Sequence, residues 1–323
     1  MSAATLRVVH FPFWLGDFIM ALPLARAFAA KHAGDRLVGV LDASLAPLLQ
    51  RSGLPIEPWA FGKRQRRALL TRLRRERPAE VVLLTNSLGS IWPYFLARVP
   101  ERRGFGSRFS RRLLTRPCAM DMNLPQGERN LALIEFPAGD SKPTPLARVP
   151  VDRGTPPFLM IFPGAQYGPA KFWGAERFAA VGQLAMEHGW QVGVFGSSGD
   201  AAEAKAVSGK LGHRRCVDYS GTLSLEGLLQ FMERTTNPIA LTNDSGALHL
   251  CAAAGVPSAG LYLSTNARRT PPAFGSFKLI EADIECRPCY RRQCPFGHYQ
   301  CRERLEPARI FAELEALQAG RLS

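Results

Sequence analysis

Short apolar runs, each followed by a polar or Gly-rich turn and then by a helical stretch, recur along nearly the whole chain. The runs at 5–10, 37–41 and 79–84 set the pattern in the first half, and four further units follow between 158 and 260. Strands that alternate with helices in this way pair in parallel and carry helices on both faces of the sheet. The sequence therefore predicts an α/β fold with two doubly wound sheets.

The length and composition fit two domains of ordinary size. The chain has 323 residues, of which 46% are hydrophobic and 21% charged, as in folded globular proteins. Residues 137–157 are rich in Pro and Gly and have little periodicity, which is typical of a linker. We predict domains at 1–150 and 151–323, the second of which ends in an amphipathic helix over 306–318.

The positive charge of the chain lies mainly in its first half. The net charge is +14, and residues 1–150 carry 23 Lys and Arg against 11 Asp and Glu, whereas residues 151–323 carry 18 against 16. A basic surface of this kind attracts phosphorylated ligands, nucleic acid or an anionic membrane face. Charge alone does not choose among these partners.

Two basic clusters account for this surplus. The first, at 63–77, holds eight Lys and Arg with one acid, and it contains Leu69, Leu70 and Leu73 at helical spacing. A solvated helix face is the commoner meaning of such a run, but two clusters that flank one sheet edge favour recognition of several phosphates. The second cluster comprises Arg98, Arg102, Arg103, Arg108, Arg111, Arg112 and Arg116.

The apolar segment 11–30 has two interpretations. Asp17 interrupts its apolar core and Arg7 provides a thin basic flank, so we interpret the region as a buried strand followed by a helix, with a cleaved signal peptide as the alternative. Asp17 then follows the carboxyl end of a strand, where open α/β sheets hold their ligands. Its carboxylate suits either a helix cap or a base directed into a cleft.

A polar turn at 242–249, Thr-Asn-Asp-Ser-Gly-Ala-Leu-His, lies between the apolar run 238–241 and a helix closed by Gly255. Asp244 or Ser245 is placed to cap that helix, whose free N–H groups and dipole then favour an anion. A capped helix start in any α/β protein is the plainer interpretation. Another turn, at 196–200, is too short for a dinucleotide fingerprint and lacks the Lys-Ser/Thr pair of a P-loop.

Four of the seven cysteines, Cys286, Cys289, Cys294 and Cys301, cluster near the end of the chain around His298. Four thiolates satisfy the ligand count of a structural zinc ion, although the gaps between them are not those of a standard zinc finger. Unligated thiols or a labile disulfide are the alternative. Because no secretion signal is predicted, a disulfide framework is less favoured than thiols or metal ligands in a reducing cytoplasm.

Three motifs occur in order along nearly the whole chain. They are Leu15-Gly16-Asp17 before an apolar helix, Pro163-Gly164-Ala165 with Gly168-Pro169-Ala170-Lys171-x-Trp173, and Thr242-Asn243-Asp244-Ser245-Gly246-x-x-His249 with Gly255-x-Pro257. Together they resemble glycosyltransferase family 9, the ADP-heptose:lipopolysaccharide heptosyltransferases. The Gly-Pro-Ala-Lys form and the segment Cys-x-x-Cys…Cys-Pro-x-Gly-His…Cys are most similar to the heptosyltransferase II branch of that family.

The resemblance implies a GT-B fold, in which two Rossmann-like domains face a cleft. The N-terminal domain would bind the acceptor and the C-terminal domain the nucleotide sugar, with inverting, metal-independent transfer and Asp17 as the general base. Lys171 would contact the donor phosphates, with Gly164 beside it. The turn would hold the heptose and the diphosphate through Asp244, Ser245, Gly246, Ala247 and His249.

The chemistry of inversion agrees with these roles. A base that acts on the acceptor hydroxyl, opposite the leaving group, needs one carboxylate where a hydrolase needs two. A lysine and a helix N-terminus stabilise the negative charge that grows on the leaving ADP. Three departures from the family pattern concern the donor: Phe162 in place of His, Phe172 in place of Arg, and the loop 263–267 in place of Gly-Pro-Thr/Ser.

The family also implies the partners of the reaction. These are ADP-heptose, a phosphorylated lipid A–Kdo core and an anionic membrane surface at the cytoplasmic face of the inner membrane, with no nucleic acid and no required cofactor. The alternatives are a family member with another nucleotide sugar or a protein acceptor, and a basic RNA- or membrane-binding module. The candidate acceptor-binding residues are Arg64, Arg66, Arg67, Arg102 and Arg103.

Overall fold

The computed structural model describes residues 4–62, 64–107, 109–137, 145–152, 154–212 and 216–320. The chain forms two compact units, Met1–Thr144 and Pro145–Ser323. The predicted domain boundary, after residue 150, falls six residues beyond this division. Lys63 and Arg108 of the basic clusters and residues 138–144 of the predicted linker lie outside the described residues.

The first unit is a parallel sheet of six strands with helices between them. The strands are β1 (Leu6–His10), β2 (Arg36–Leu41), β3 (Ile56–Ala60), β4 (Glu80–Leu83), β5 (Glu101–Phe105) and β6 (Arg116–Cys118). The helices are α1 (Leu15–Lys31), α2 (Ala46–Arg51), α3 (Arg66–Glu76), α4 (Leu88–Leu96) and α5 (Gln126–Ala132). The order across the sheet is β3-β2-β1-β4-β5-β6.

This order places β1 and β4 side by side at the centre of the sheet, with His10 opposite Leu83. Their side chains are almost all buried, as the near-continuous apolar sequence of a two-sided parallel strand requires. From this pair the chain winds outward in both directions, so the strand order reverses between β1 and β4. Such a reversal leaves a crevice at the carboxyl ends of the two strands.

The second unit repeats this plan. Its strands are β7 (Phe158–Phe162), β8 (Gln191–Val194), β9 (Cys216–Asp218), β10 (Pro238–Asn243), β11 (Ser258–Tyr262) and β12 (Phe277–Glu281), in the parallel order β12-β11-β10-β7-β8-β9. The helices are α6 (Ala175–Glu187), α7 (Ala201–Leu211), α8 (Leu225–Arg234), α9 (Gly246–Ala253), α10 (Gln300–Glu303) and α11 (Pro307–Gln318). The reversal here lies between β7 and β10.

The interpretation of the N-terminal region as a buried strand and helix is confirmed. Helix α1 continues through Pro23, and most of its side chains are buried. The predicted C-terminal helix is confirmed as α11, which buries Ile310, Phe311, Leu314 and Leu317. No helix in the described part of the chain is long and apolar enough to cross a membrane.

Candidate active site

A cavity of about 390 Å³ lies at the carboxyl ends of β1 and β4, where the strand order of the first unit reverses. The turn after β1 contributes Pro12, Phe13, Trp14 and Asp17 to its wall. The segment after β4 contributes residues 84–87 and Ser90. Helix α5 closes the cavity with Gln126, Arg129 and Asn130. The predicted base therefore lies in a ligand-sized recess.

Asp17 is a partly buried carboxylate in the first turn of α1, where the helix dipole favours negative charge. Its Oδ1 atom accepts a hydrogen bond of 2.7 Å from Nε2 of Gln126, the first residue of α5. The helix begins after Trp14, so Asp17 lies inside the helix and is not its N-cap. Sequence analysis missed Gln126 because the two residues are 109 positions apart and α5 carries no recognisable motif.

Arg102 and Arg103 have partners inside the fold. The Arg102 guanidinium donates to the carbonyl oxygens of Val99 and, over 2.7 Å, of Leu113. Arg103 lies 2.6 Å from a Glu101 carboxylate oxygen and 3.1 Å from one of Glu80. Several donors of both guanidinium groups thus bind groups inside the fold. The predicted acceptor role of the two arginines stays a prediction.

Arg64, Arg66 and Arg67 instead have exposed side chains at the start of α3 and just before it. Arg66 lies against Gly89 of α4, so closely that a Cβ atom at Gly89 would come within 2.3 Å of a guanidinium nitrogen. Its side chain also lines a second, smaller cavity of the first unit. Of the five candidate arginines, Arg66 is therefore the one that the fold brings to a cavity.

In the second unit, Lys171 and Asp244 form an ion pair at the reversal between β7 and β10. The Nζ atom of Lys171 lies 2.5 Å from Oδ2 of Asp244 and donates a 3.1 Å hydrogen bond to the Asp244 carbonyl oxygen. Their side chains are 14% and 5% exposed, so the pair is largely shielded from water. Two predicted donor residues, 73 positions apart, are thus brought into contact.

Asp244 has a further partner in the loop that departs from the family pattern. The Thr265 hydroxyl donates a 2.6 Å hydrogen bond to Oδ2 of Asp244. Sequence analysis placed this loop near the turn but did not identify Thr265 as a partner. The altered loop therefore still supports the Asp244 carboxylate.

The prediction that Asp244 or Ser245 caps α9 is confirmed for the position of Ser245, which is the N-cap residue. The Ser245 side chain makes no capping hydrogen bond, however, and the Asp244 carboxylate is directed to Lys171 and Thr265. Side chains therefore leave the first-turn N–H groups of α9 uncapped. An uncapped helix N-terminus beside a lysine is a favourable place for a phosphate.

His249 lies in α9 one turn after Ser245 and is 3% exposed. Burial lowers its pKa to about 4, with Asp244 opposing and Lys171 reinforcing the shift, so the ring is neutral at pH 7.

Gly164 follows β7, and a Cβ atom there would come within 2.2 Å of the Asp200 carboxylate. The turn after β7 therefore packs against the turn that contains Asp200, and a glycine at position 164 allows this close contact.

The cysteine segment 286–301 packs onto the loop that carries Lys171. The backbone N–H of Ala170 donates a 2.9 Å hydrogen bond to the Arg292 carbonyl oxygen, and the Arg302 guanidinium donates to the Pro169 carbonyl oxygen. The Tyr167 hydroxyl donates to the Tyr290 carbonyl oxygen over 2.8 Å. The segment therefore holds the lysine loop in place from outside.

The four clustered cysteines are free thiols of intermediate exposure. Within the described residues, no group of three or more His, Cys, Asp or Glu side chains is arranged to hold a metal ion. Zinc binding by these four thiols stays a prediction.

Two parallel, doubly wound units, each with charged groups at the reversal of its strand order, define a GT-B enzyme. A sequence profile of glycosyltransferase family 9 (heptosyltransferase) matches residues 66–300. The chain belongs to this family. The matched region includes Lys171 and the Asp244 turn, whereas Asp17 precedes it.

Relatives with curated names agree with this membership over nearly their full length. The chain is 26% identical to lipopolysaccharide heptosyltransferase 2 of Salmonella typhimurium and to that of Escherichia coli K12, with 95% of this chain and 96% of each relative covered. The solved structure of E. coli ADP-heptose lps heptosyltransferase II is 25% identical and superposes with a TM-score of 0.80 over 98% of this chain and 99% of that one. The predicted family and GT-B fold are confirmed.

Proposed function

We propose that the protein transfers heptose, with inversion, from ADP-heptose to the inner core of lipopolysaccharide. The observation that carries this proposal is the Lys171–Asp244 pair beside the uncapped start of α9, in a chain that belongs to the heptosyltransferase family. Both curated relatives described above are named for the same transfer. The non-catalytic alternative, a basic RNA- or membrane-binding module, gives this pair no role.

The second unit is suited to stabilise the leaving group. As the bond to the heptose breaks, negative charge grows on the ADP diphosphate. The Lys171 ammonium and the N–H groups of α9 provide positive charge and donors where this charge develops. Asp244 and Thr265 hold the lysine in a fixed position before the donor arrives.

The first unit supplies the base. Asp17 would take the proton of the acceptor hydroxyl as that oxygen attacks the anomeric carbon, on the face opposite the departing ADP. The Gln126 amide orients the carboxylate by its hydrogen bond to Oδ1, at the wall of the cavity that would receive the acceptor. Because the lysine and the helix stabilise the diphosphate, the proposed reaction needs no divalent cation, and transfer is expected to persist in excess EDTA.

The exposed face of α4 is suited to hold the enzyme at an anionic membrane. Leu88, Trp92 and Phe95 are spaced along this helix and are 50%, 49% and 39% exposed. The helix packs against the turn Ser110–Leu113, which carries the exposed Arg111 and Arg112. Aromatic side chains beside arginines favour the interface of anionic lipids. The acceptor, which is anchored in the inner membrane, would be reached from this face.

Sedimentation with vesicles tests the membrane surface. Vesicles with anionic lipid are expected to bind the wild-type protein and vesicles of neutral lipid to bind it weakly. Trp92→Ala with Phe95→Ala should reduce binding at least about tenfold, because each aromatic side chain buries a large apolar area. Equal binding of the double variant would refute this surface.

A transfer assay with defined substrates tests the function itself. ADP-heptose and a panel of other nucleotide sugars are supplied with truncated core acceptors that contain or lack the first heptose. The proposal expects turnover with ADP-heptose, and the acceptor that is used identifies the step. Turnover of another donor without turnover of ADP-heptose would overturn it.

Asp17→Asn tests the role of the base. We expect transfer to fall by roughly 10²–10⁴-fold, the usual contribution of general base catalysis, while ADP still binds. Asp42→Asn, which alters a partly buried carboxylate that caps a short turn after β2, is the matched control. Near-normal transfer by Asp17→Asn would refute the assignment.

A further inference from the structure

A second cavity of the first unit adjoins the Asp17 cavity, and its mostly apolar wall contains a few polar groups. Its volume is about 110 Å³, several times the ~30 Å³ of one water molecule and well below the size of a drug-like site. Phe13, Ser87 and Ser90 line both cavities, so they are neighbours across one wall. The smaller cavity has room for one small chemical group of a ligand that occupies the larger one.

His10, the last residue of β1, lines the smaller cavity and is 2% exposed. Its Nδ1 atom lies 2.8 Å from the hydroxyl of the fully buried Tyr94. Its Nε2 atom is buried and has no hydrogen-bond partner among the described residues. A buried polar atom without a partner costs free energy, and a ligand group that entered the cavity beside the ring would supply the missing partner.

The remaining polar groups of this wall are mostly donors. Arg66 contributes a guanidinium, and its position against Gly89 directs it to the start of α4. Ser87 is the N-cap of α4: its hydroxyl accepts a 3.2 Å hydrogen bond from the backbone N–H of Ser90 and lies 2.8 Å from the Ser90 hydroxyl. A positive charge beside two hydroxyls favours an anion.

We propose that this cavity is an anion subsite, in which His10 and Arg66 bind one carboxylate or phosphate group of the acceptor and so set its position relative to Asp17. The inference rests on the proposed function for the identity of the acceptor. The subsite requires the tautomer in which the Tyr94 hydroxyl donates to Nδ1 of His10 and the ring proton lies on Nε2, which donates it to the anion. Both groups act on binding and take no part in proton transfer at the reacting oxygen.

This assignment gives a role to two features that the proposed reaction does not require, the buried His10 ring and the absence of a side chain at Gly89. His10 lies at the end of the central strand, adjacent to the cavity of the base, yet it has no role in proton transfer or in donor binding. Burial lowers its pKa to about 4, so the ring is neutral at pH 7 and acts as a hydrogen-bond donor while Arg66 supplies the charge. Gly89 lacks a side chain where the Arg66 guanidinium lies.

Binding of small anions, followed by NMR of ¹⁵N-histidine-labelled protein, tests the subsite without any transfer reaction. The probes are the sugar acid Kdo, its uncharged methyl ester, and inorganic phosphate. We expect a saturable shift of the His10 ring resonances, assigned by their loss in His10→Phe, with Kdo or with phosphate but not with the ester. Kdo alone identifies a carboxylate site and phosphate alone a phosphate site. A shift that does not saturate, or that the ester matches, would overturn the proposal.

Arginine variants provide matched controls in the same assay. Arg66→Ala should weaken binding of the anion roughly 10- to 100-fold, the range expected for one charge-assisted hydrogen bond, whereas the exposed neighbour Arg67→Ala should change it less than about twofold. Gly89→Ala should act like Arg66→Ala, because the added methyl group displaces the guanidinium. Equal effects of Arg66→Ala and Arg67→Ala would indicate general attraction by surface charge and refute the subsite.

Steady-state kinetics then connect the subsite to transfer. His10→Phe and Arg66→Ala should raise the acceptor KM about tenfold or more, with the donor KM nearly unchanged. A fall in kcat with no change in the acceptor KM would refute a role in acceptor binding. Absence of heptose transfer by the wild-type protein would overturn the proposed function, whereas absence of anion binding in the NMR assay would overturn the subsite.

Discussion

At the scale of single residues, the two catalytic assignments depend on partners that hold them. Asp17 is held by Gln126, and Lys171 is held by Asp244, which in turn accepts from Thr265. Reacting groups need to be fixed to within a fraction of an ångström, so these partners are expected to affect the rate although they contact no reacting atom.

Gln126→Leu removes the amide that donates to Asp17 while nearly preserving side-chain volume. We predict a fall in kcat of roughly tenfold with an unchanged donor KM, because the Asp17 carboxylate is no longer held in a single orientation. Gln183→Leu is the control, since Gln183 is an exposed glutamine whose amide pairs with Glu187 on the surface of α6. Equal kcat for the Gln126 variant and the wild type would show that the carboxylate needs no such partner.

Lys171→Met removes the charge beside the diphosphate and leaves the Asp244 carboxylate buried without its ion pair. We predict a loss of about 10²–10³-fold in kcat and a loss of about 3–5 kcal/mol in the free energy of unfolding. Lys171→Met with Asp244→Asn should recover most of the stability and none of the activity. Lys210→Met, which breaks an exposed pair with Glu176, should change both by little. Recovered activity in the double variant would contradict the role of Lys171.

At the scale of structural elements, the central strands and long helices were predictable, and the edge strands were not. Strands β1, β2 and β4 and helix α11 were predicted to within one residue at each end, because each is an apolar or amphipathic stretch. Strand β3 carries Pro58 and the exposed Glu57 and Ala60, as an edge strand permits, and β6 and β9 have three residues each. Such short segments bury too little to leave a pattern.

The residues of the candidate site likewise fall into those that sequence motifs predicted and those that they did not. The motifs identified Asp17, Lys171 and Asp244 because each follows a central strand at the end where parallel sheets hold ligands. The partners Gln126 and Thr265, and the cavity wall formed by His10, depend on contacts between distant segments that no local pattern records. The sequence did not predict that Arg102 and Arg103 contact carbonyl and carboxylate groups inside the fold, since it does not distinguish such an arginine from one that faces a ligand.

The loop before Lys171 contains a glycine whose conformation is set by the cysteine segment. Gly168 has φ = +143°, and a Cβ atom there would come within 2.8 Å of the Arg292 carbonyl oxygen. We predict that Gly168→Ala raises the donor KM several-fold and lowers the free energy of unfolding by about 1–3 kcal/mol, because the loop must move away from this contact.

Gly189→Ala separates the two effects. Gly189 also has a positive φ, +79°, but no atom of the described residues lies within 4 Å of the position that an added Cβ atom would occupy. This control should lower the free energy of unfolding by a comparable amount, because alanine is strained at a positive φ, and leave the donor KM unchanged. Identical kinetics of the two variants would show that the contact with Arg292 does not position the lysine loop.

The cysteine segment itself is predicted to contain one reactive thiol. Desolvation opposes ionisation of Cys294, but hydrogen bonds from the backbone N–H groups of residues 296–299 outweigh it and lower the pKa of this thiol, whereas burial raises the pKa of Cys301. Iodoacetamide at pH 7.5 should therefore alkylate Cys294 first, as followed by mass spectrometry, and the buried Cys251 last. Metal analysis of the same sample is the control: about one equivalent of zinc with protection of all four clustered thiols would contradict unligated thiols.

At the scale of the whole molecule, each unit has one buried histidine among its described residues, His10 in the first and His249 in the second. Burial lowers the pKa of both to about 4 from an ordinary value of 6.5. Below pH 6.5 the unfolded chain takes up a proton at each position and the folded chain does not. The stabilising effect of each neutral ring is therefore complete above about pH 6.5 and is lost progressively as the pH falls to about 4.

We predict that the free energy of unfolding falls by about 3 kcal/mol per histidine across this window, and that both units are affected because each has one such residue. Carboxylates contribute at lower pH, since hydrogen bonds from arginines hold the pKa values of Asp35 and Glu76 below their ordinary range, against the desolvation that opposes them. Denaturant titrations at several pH values between 7 and 4 measure the slope. His10→Phe should flatten it for the first unit alone, and His188→Gln, at an exposed histidine of the second unit, should leave it unchanged. A slope that survives in His10→Phe would place the proton uptake elsewhere.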